Sequence, residues 1–476
     1  MSRIVVASNR GPVSFSRSEG GGLTARRGGG GLVSGLAGVA AGTEVLWVCA
    51  ALGDADREAA GRAPDGRLDL AGHDTGGAAV RMLDIPAPTF QRAYNSVANS
   101  TLWFVHHLLY ETPRAPHFDA RFRRDWQSYE AYNAAFADAV AQSAEPGAKA
   151  VVQDYHLSLA PRMLRERRPD LRVAHFSHTP WAPPEYFRML PDDLVIAVLG
   201  GILGADHAGF LTRRWADAFL ACCDQLLPGA RVEDRDVTYA GRTTRVGVHG
   251  LGVDGRSLRE RAARPDVAER REALRAQVGG RKLIVRVDRT ELSKNIVRGL
   301  AAYRELLATH PEWHGRVVHL AFAYPSRTDL AEYRAYTEAV HETARAISEE
   351  FATPDWDPLI VQVNDDYPRS LAAYSLADVL LVNPIRDGMN LVAKEGPVLS
   401  ADGCALVLSR EAGAAAELAD DALLVNPYDV SKTAEALHHA LLMPPGERAA
   451  RCGRLAAAAT ALPPDRWFAG QLDALD

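Results

Sequence analysis

The segment Asp387-Gly388-Met389-Asn390-Leu391-Val392-Ala393-Lys394-Glu395 puts two carboxylates, an ammonium, an amide and a glycine into one short stretch. It follows the apolar run Val379–Val382, which reads as a buried parallel strand, and a turn at Asn383–Arg386; a helical pattern begins near Asn390. A strand, a glycine-bearing loop and a helix start leave backbone N–H groups without partners, and an anion can sit on them. A second set is Arg289 and Lys294, which bracket a turn that opens another helix. Arg offers a bidentate fork and Lys a point charge, a pairing that suits a diphosphate. With Asp288 and Glu291 alongside, the same residues also read as a solvated basic face; the Asp387 loop in the same half tips the reading to a diphosphate site. Asp387 can be nucleophile, base or hydroxyl ligand. A glycosidase-like carboxylate pair would need Asp154 as its second member. The cations argue instead for a charged leaving group, which needs charge stabilisation by Arg289, Lys294 and backbone dipoles rather than a general acid. Glu395, on the first turns of the helix, can accept from ribose hydroxyls or can simply answer the helix dipole.

These residues need strand ends to hold them. In the first half, Ile4–Ala7 reads as a central parallel strand ending at Ser8-Asn9-Arg10. Glycine clusters follow, including Gly28–Gly31. They read as a linker or as a loop that brings backbone close to a ligand; no Gly-Lys-Ser/Thr follows, so this is not a Walker motif. Val45–Val48 is a strand, Phe90–Tyr110 has mixed helical spacing, and Trp126–Ala141 is an amphipathic helix. Lys149–Val152 and Val173–Phe176 are strands ending at Gln153-Asp154 and Ser177-His178, with a helix over Leu159–Glu166 between them. Ligands in such βαβ sheets bind outside the carboxyl ends of the strands. Leu194–Leu226 reads as one helix, and the charged stretch Arg256–Gln277 as a helical connector.

The second half repeats the pattern with strands at Lys282–Val287, Arg316–Ala323, Leu359–Val363, Val379–Val382, Leu406–Ser409 and Leu423–Val425. The expected fold class is α/β, two facing Rossmann-like domains with a ligand cleft between them: residues 1–254, residues 255–455, and a terminal helix over 456–476 crossing back to the first domain. At 476 residues the chain is too long for one core. Its 54 basic and 60 acidic residues argue against a general nucleic-acid binder. Five cysteines without CxxC spacing suggest reduced core thiols and a cytoplasmic location. The start, Met1–Ser8, is too short in apolar residues for a signal peptide, and no membrane span is expected.

Ser8-Asn9-Arg10, Tyr94-Asn95 with Trp103, Asp154-Tyr155-His156-Leu157, His178-Thr179-Pro180 with Pro184-Glu185, Arg289 with Ser293-Lys294, Ser326-Arg327 and Arg386–Glu395 run in order along nearly the whole chain. On these residues the sequence resembles the trehalose-6-phosphate synthases, retaining glycosyltransferases of GT-B architecture. The resemblance implies a nucleotide-sugar donor and glucose 6-phosphate as partners, no metal and no cofactor, and attack on the front face with the donor's own phosphate taking the acceptor proton. It implies that Arg289, Lys294, Asp387 and His178 form the reacting centre. Gly30, Gly31, Gly388, Met389, Asn390, Leu391 and Glu395 would complete the donor site, and Asn364, at the end of the strand Leu359–Val363, is placed there as well. Arg10, Tyr94, Trp103, Asp154 and Arg327 would hold the acceptor, with Arg10 and Arg327 on its phosphate.

The sequence departs from the family at the glycine-rich segment, at Thr290-Glu291-Leu292, where Leu-Asp-Tyr is frequent, and around Leu359–Asp366. These departures and the Ala/Arg/Gly-rich composition resemble an actinobacterial subgroup using GDP-glucose, which favours GDP-glucose over UDP-glucose. Two other readings are a pseudo-glycosyltransferase that joins a nucleotide cyclitol to a sugar or aminocyclitol phosphate, and a non-catalytic sugar-phosphate-binding subunit. The latter would be expected to lose Arg289, Lys294, Asp387 or His178, all of which are present. The sequence leaves homo-oligomerisation open.

Overall fold

The structure, a computed structural model, describes residues 2–18, 22–27 and 45–476. Gly30 and Gly31 lie outside the described residues. The chain divides into two compact units, Met1–Leu251 with Pro464–Asp476, and Gly252–Pro463.

The first unit carries β1 (Ser2–Ser8), the hairpin β2 (Val13–Arg17) and β3 (Leu23–Arg27), β4 (Val45–Ala50), β5 (Ala79–Leu83), β6 (Ala144–Gln153), β7 (Arg172–Ser177), β8 (His207–Phe210), β9 (Arg231–Glu233), β10 (Asp236–Tyr239) and β11 (Arg242–Val248). All but the hairpin form one sheet in the order β5-β4-β1-β6-β7-β8-β11-β10-β9. β1 pairs in parallel with β4 on one side and β6 on the other, Val5 facing Leu46 and Ala150. Its Val5 and Val6 are buried, as expected for a strand covered on both faces. The chain runs outward from β1 through β4 to β5, then returns to fill the other side from β6. The order therefore reverses between β1 and β6.

Two sequence expectations change here. Leu194–Leu226 is not one helix but two, Asp192–Ile202 and Arg213–Leu226, with β8 between them. A continuous apolar run does not distinguish buried helix from buried strand. Gly209 in β8 lies so close to Phe176 that a Cβ would sit 2.6 Å from its ring. The mixed spacing of Phe90–Tyr110 reflects a π-helix over Arg92–Leu102, whose wider turn shifts every following side chain around the axis.

The second unit carries β12 (Lys282–Arg289), β13 (Val317–Tyr324), β14 (Leu359–Gln362), β15 (Val379–Val382), β16 (Ala405–Ser409) and β17 (Leu423–Val425). They form a parallel sheet in the order β14-β13-β12-β15-β16-β17, which reverses between β12 and β15. Ile284, Val318, Leu381 and Val407 from the sheet meet Leu300, Tyr303 and Leu437 from helices in one core. Each such side chain contributes roughly 1.5–3 kcal/mol by leaving water.

The charged stretch Arg256–Gln277 is not a connector. It is two helices inside this unit, Gly255–Ala262 and Pro265–Val278. Pro265 breaks it by holding Arg264 extended. Leu258, Val267 and Leu274 are buried beneath its charged face. The helix expected over 456–476 is also two, Pro445–Thr460 and Pro464–Asp473, with Pro463-Pro464 at the break. The second of them belongs to the first unit. Within the second unit, Gly252 N–H donates to the Leu462 carbonyl at 2.6 Å and Val253 N–H to that of Ala459 at 2.9 Å. A Cβ at 252 would lie 2.4 Å from the Ala459 oxygen, so glycine is required there.

Candidate active site

In the second unit the loops after β12 and β15 are stitched together at the strand-order reversal, the place where open α/β sheets bind ligands. Ile385 N–H donates to the Ser293 carbonyl at 2.9 Å. The Asn295 amide donates to the carbonyls of Asn383 at 3.0 Å and Pro427 at 2.7 Å. Lys294 Nζ donates to Asp387 Oδ2 at 2.6 Å, and the Asn390 amide reaches the same oxygen at 3.2 Å. Burial pulls the Lys294 ammonium down, but Asp387, Asp288 and Glu291 together outweigh it and hold it above the ordinary lysine value. Asp387 is thus occupied as a clamp on a cation and an amide, which fits a ligand-holding carboxylate better than a nucleophile. The loop is also fixed from behind: Gly413 N–H donates to the Asp387 carbonyl at 3.0 Å, and Ala414 N–H to that of Met389 at 2.7 Å. A Cβ at Gly413 would sit 1.9 Å from the Gly388 oxygen.

Arg289, half-exposed at the end of β12, bonds Glu291 Oε1 at 3.0 Å. Glu291 is fully buried and also accepts from Ser326 Oγ at 3.0 Å, while Arg327 lies 3.6 Å from its other oxygen. Burial pushes the Glu291 carboxyl up, but Arg289, Arg327 and Lys294 overcome it and bring it down to about 2. One buried anion therefore ties together three cations from the ends of β12 and β13. Arg327 has φ of 45° and bonds the Tyr333 hydroxyl, with its guanidinium over that ring. Glu395, half-buried, has its carboxyl pushed up to about 7 by burial, against a hydrogen bond from Tyr374.

In the first unit Arg10 follows β1, Asp154 follows β6 and His178 follows β7, so Arg10 and Asp154 flank that sheet's reversal. The turn carrying Arg10 is held by Trp47 donating to Ser8 Oγ at 2.7 Å and Tyr132 donating to Asn9 Oδ1 at 2.6 Å. Asp154 has φ 73° and ψ 170°, a region nearly reserved for glycine, at a cost of about 1–3 kcal/mol. Its Oδ1 accepts the His178 N–H at 3.1 Å. Tyr94 stacks on His156 at 5.7 Å, and Trp103 packs on Tyr155 at 5.7 Å. The acceptor candidates Tyr94, Trp103 and Asp154 thus gather around one turn. His178 Nε2 meets Gln153 Oε1 at 2.8 Å. Burial, with His175 nearby, pushes the imidazole down to about 3, so it is neutral at working pH.

Asn364 stands exposed beyond the edge strand β14, and Gln362 donates to its backbone carbonyl at 3.4 Å. Arg327, grouped with the acceptor residues by resemblance, is carried by the second unit. Sequence reasoning passed over Arg286, Gln153 and Gln471 and treated Glu291 only as a neighbouring charge. Arg286 is completely buried, pairs with Asp288 at 2.7 Å and donates to the Lys294 carbonyl at 3.0 Å, setting the turn. A charged residue inside an otherwise apolar strand was the available signal. Gln153 and Gln471 carried none.

All five cysteines are free and buried. Among the described residues, no helix is long and apolar enough to cross a membrane. One group there, away from these loops, has metal-ligand spacing: His310, Glu312 and His438. Trp313 donates to His438 Nδ1 at 3.0 Å, which leaves the proton of the neutral ring on Nε2 and removes that nitrogen as a ligand.

The model of glycosyltransferase family 20 matches residues 2–476. A bifunctional trehalose-6-phosphate synthase/phosphatase of Thermoproteus tenax is 34% identical over 94% of this chain, which spans only 60% of that protein's length. An alpha,alpha-trehalose-phosphate synthase [UDP-forming] of Schizosaccharomyces pombe is 32% identical over 95% of this chain and 86% of its own. The solved structure of a trehalose-6-phosphate protein from E. coli bound with UDP-2-fluoro glucose superposes with TM-score 0.86 at 28% identity, covering 100% of this chain and 99% of that one. The fold is the two-domain α/β fold of GT-B type.

Proposed function

The chain belongs to glycosyltransferase family 20, and on that premise we propose that it is a retaining glucosyltransferase making trehalose 6-phosphate from a nucleoside-diphosphate glucose and glucose 6-phosphate. The observation that carries this reading is the array at the β12/β15 reversal, where Arg289 and Lys294 are held by Glu291 and Asp387 beside a loop fixed by Gly413. Two cations and helix-start N–H groups suit a diphosphate leaving group. Asp387 and the backbone of Gly388, Met389, Asn390 and Leu391 take glucose hydroxyls and phosphate, and Glu395 takes the ribose. Asp154 orients the acceptor, Tyr94 and Trp103 line its sugar ring, and Arg10 and Arg327 take its phosphate.

In the reaction the bond from the glucose anomeric carbon to the donor phosphate breaks, and its electron pair stays on the phosphate. The acceptor hydroxyl attacks from the same face and gives its proton to a donor phosphate oxygen. Arg289 and Lys294 stabilise the charge that grows there. His178, neutral, orients the donor sugar rather than moving the proton.

On the nucleobase two supports pull apart. The departures at Leu359–Asp366 favour GDP-glucose, whereas the S. pombe relative is named UDP-forming. UDP-, GDP- and ADP-glucose assayed against glucose 6-phosphate separate them, with product identified by mass and by trehalase after dephosphorylation. A disaccharide phosphate that trehalase cleaves after phosphate removal is expected; no product with any of the three donors overturns the reading.

A further inference from the structure

A chain of side chains runs from the last helix to His178, all within the first unit. His178 Nε2 meets Gln153 Oε1 at 2.8 Å, Gln153 Nε2 meets Gln471 Oε1 at 3.1 Å, and Gln471 Nε2 meets the Trp467 carbonyl at 3.4 Å. Gln153 and Gln471 are completely buried. The helix Pro464–Asp473 also packs the Trp467 ring 5.4 Å from that of His178 and 5.1 Å from that of Phe176.

The far end of this chain has only one polarity. A backbone carbonyl accepts and cannot donate. Gln471 must therefore turn its amide NH₂ to Trp467, which leaves its oxygen for Gln153. Gln153 then donates with its own NH₂ and turns its oxygen to His178. An oxygen there can only accept, so the His178 proton sits on Nε2 and Nδ1 keeps a lone pair. Reversing the chain would set the Gln471 oxygen against the Trp467 carbonyl, two buried acceptors with no proton between them. A neutral ring makes the tautomer meaningful throughout the working range, and burial keeps this ring neutral.

We propose that Gln471, through Gln153, is a positioning residue that fixes the Nε2–H tautomer of His178, so that His178 offers Nδ1 as a hydrogen-bond acceptor to a sugar hydroxyl. The tautomer itself follows from the chain of bonds; its use on a hydroxyl of the donor glucose rests on the function proposed above. It gives the terminal helix a role in the chemistry: the polarity of a backbone carbonyl at Trp467 decides which way a hydrogen bond at His178 points. A histidine so fixed recognises a group that can donate, and an ether or fluorine in place of that hydroxyl would leave Nδ1 unanswered.

The test is a long-range ¹H–¹⁵N correlation spectrum of the full chain labelled at histidine, with His178 assigned by difference from His178→Phe. The expected pattern is the Nε2–H tautomer in the wild type and a mixture in Gln471→Leu. Turnover of Gln471→Leu should fall roughly tenfold, as for other groups that orient a ligand through a neighbour, with both KM values within about twofold. Gln471→Glu, whose buried carboxyl keeps its proton, can donate it to the Trp467 carbonyl while its other oxygen accepts from Gln153, and should retain the wild-type tautomer. A wild-type Nδ1–H pattern, or an unchanged tautomer in Gln471→Leu, overturns the proposal. The wild-type spectrum decides even if the leucine variant does not fold. A protein with the Nε2–H tautomer that transfers no glucose would leave the relay standing and remove the glucosyltransferase reading.

Discussion

At the β12/β15 reversal the side chains are charges held by charges: Lys294 on Asp387, and Arg289 and Arg327 on the buried Glu291. Around the β1/β6 reversal, which carries Arg10 and Asp154, the first unit holds its groups through neutral partners instead: a histidine on a glutamine, a backbone N–H on Asp154, and stacked aromatic rings. Both sheets offer the same opening at the same topological point, so topology alone does not tell what each will hold. The groups at the strand ends do. A doubly charged leaving group calls for cations already fixed in place, because reorganising them during the reaction would cost part of the stabilisation. A sugar calls for directional hydrogen bonds and flat apolar faces, which lose specificity if a group titrates.

The contrast can be broken most severely at Arg289. Arg289→Ala should lower turnover by about a hundredfold or more, the scale of losing a preorganised donor to developing charge; unchanged turnover in the donor assay would remove the diphosphate assignment. Glu291→Gln should follow. Removing a buried partner of several cations should cost about 3–5 kcal/mol of stability in a urea titration and raise the KM of both substrates. An effect confined to one substrate would show that the two arginines act separately. Arg327→Ala should raise the KM for glucose 6-phosphate about tenfold with little change for the donor, and equal effects on both would take Arg327 out of the acceptor pocket.

The smallest effect is in pH. Glu395 sits at about 7 against an ordinary value of 4.5, so the folded chain holds a proton that the unfolded chain releases. The stability from this group is present below 4.5 and lost as pH rises toward 7, visible as a falling unfolding midpoint that Glu395→Gln flattens. In the proposed donor site ribose hydroxyls donate to the ionised form, so donor affinity should tighten about fivefold from pH 6 to 7, about twofold more by pH 8, and then level off. The first unit supplies the control: His178, pushed down to about 3, should contribute no step in that window.

Much of this was legible in the sequence, and the reasons differ by residue. Buried parallel strands announce themselves as short β-branched runs, which is how Val379–Val382 and Ile4–Ala7 marked the loops at Asp387 and Arg10. β8 escaped because an apolar run flanked by apolar helices has no periodicity of its own. The two charged helices of 255–278 passed for a linker because their buried faces are narrow against many arginines. Glu291 was visible only as a neighbour of Arg289; that it is wholly buried and shared with Arg327 depends on β12 and β13 being adjacent. Gln153 and Gln471 are far apart in the chain and chemically bland, so only the return of the last helix to the first unit exposes their connection. Asn364 was placed by its position at the end of the strand Leu359–Val363, and among the described residues no side-chain hydrogen bond ties it to the other candidates.

Asp154 carries a further consequence. Its backbone is in a conformation that glycine adopts without penalty. Asp154→Gly would relieve roughly 1–3 kcal/mol of backbone strain, offset in part by the lost hydrogen bond to the His178 N–H. Thermal stability and turnover are therefore opposed at this position, whereas at Arg327, also left-handed at φ 45°, the tie to buried Glu291 outweighs the strain. A laboratory selection for heat resistance alone would drift toward glycine at 154 and keep the arginine at 327.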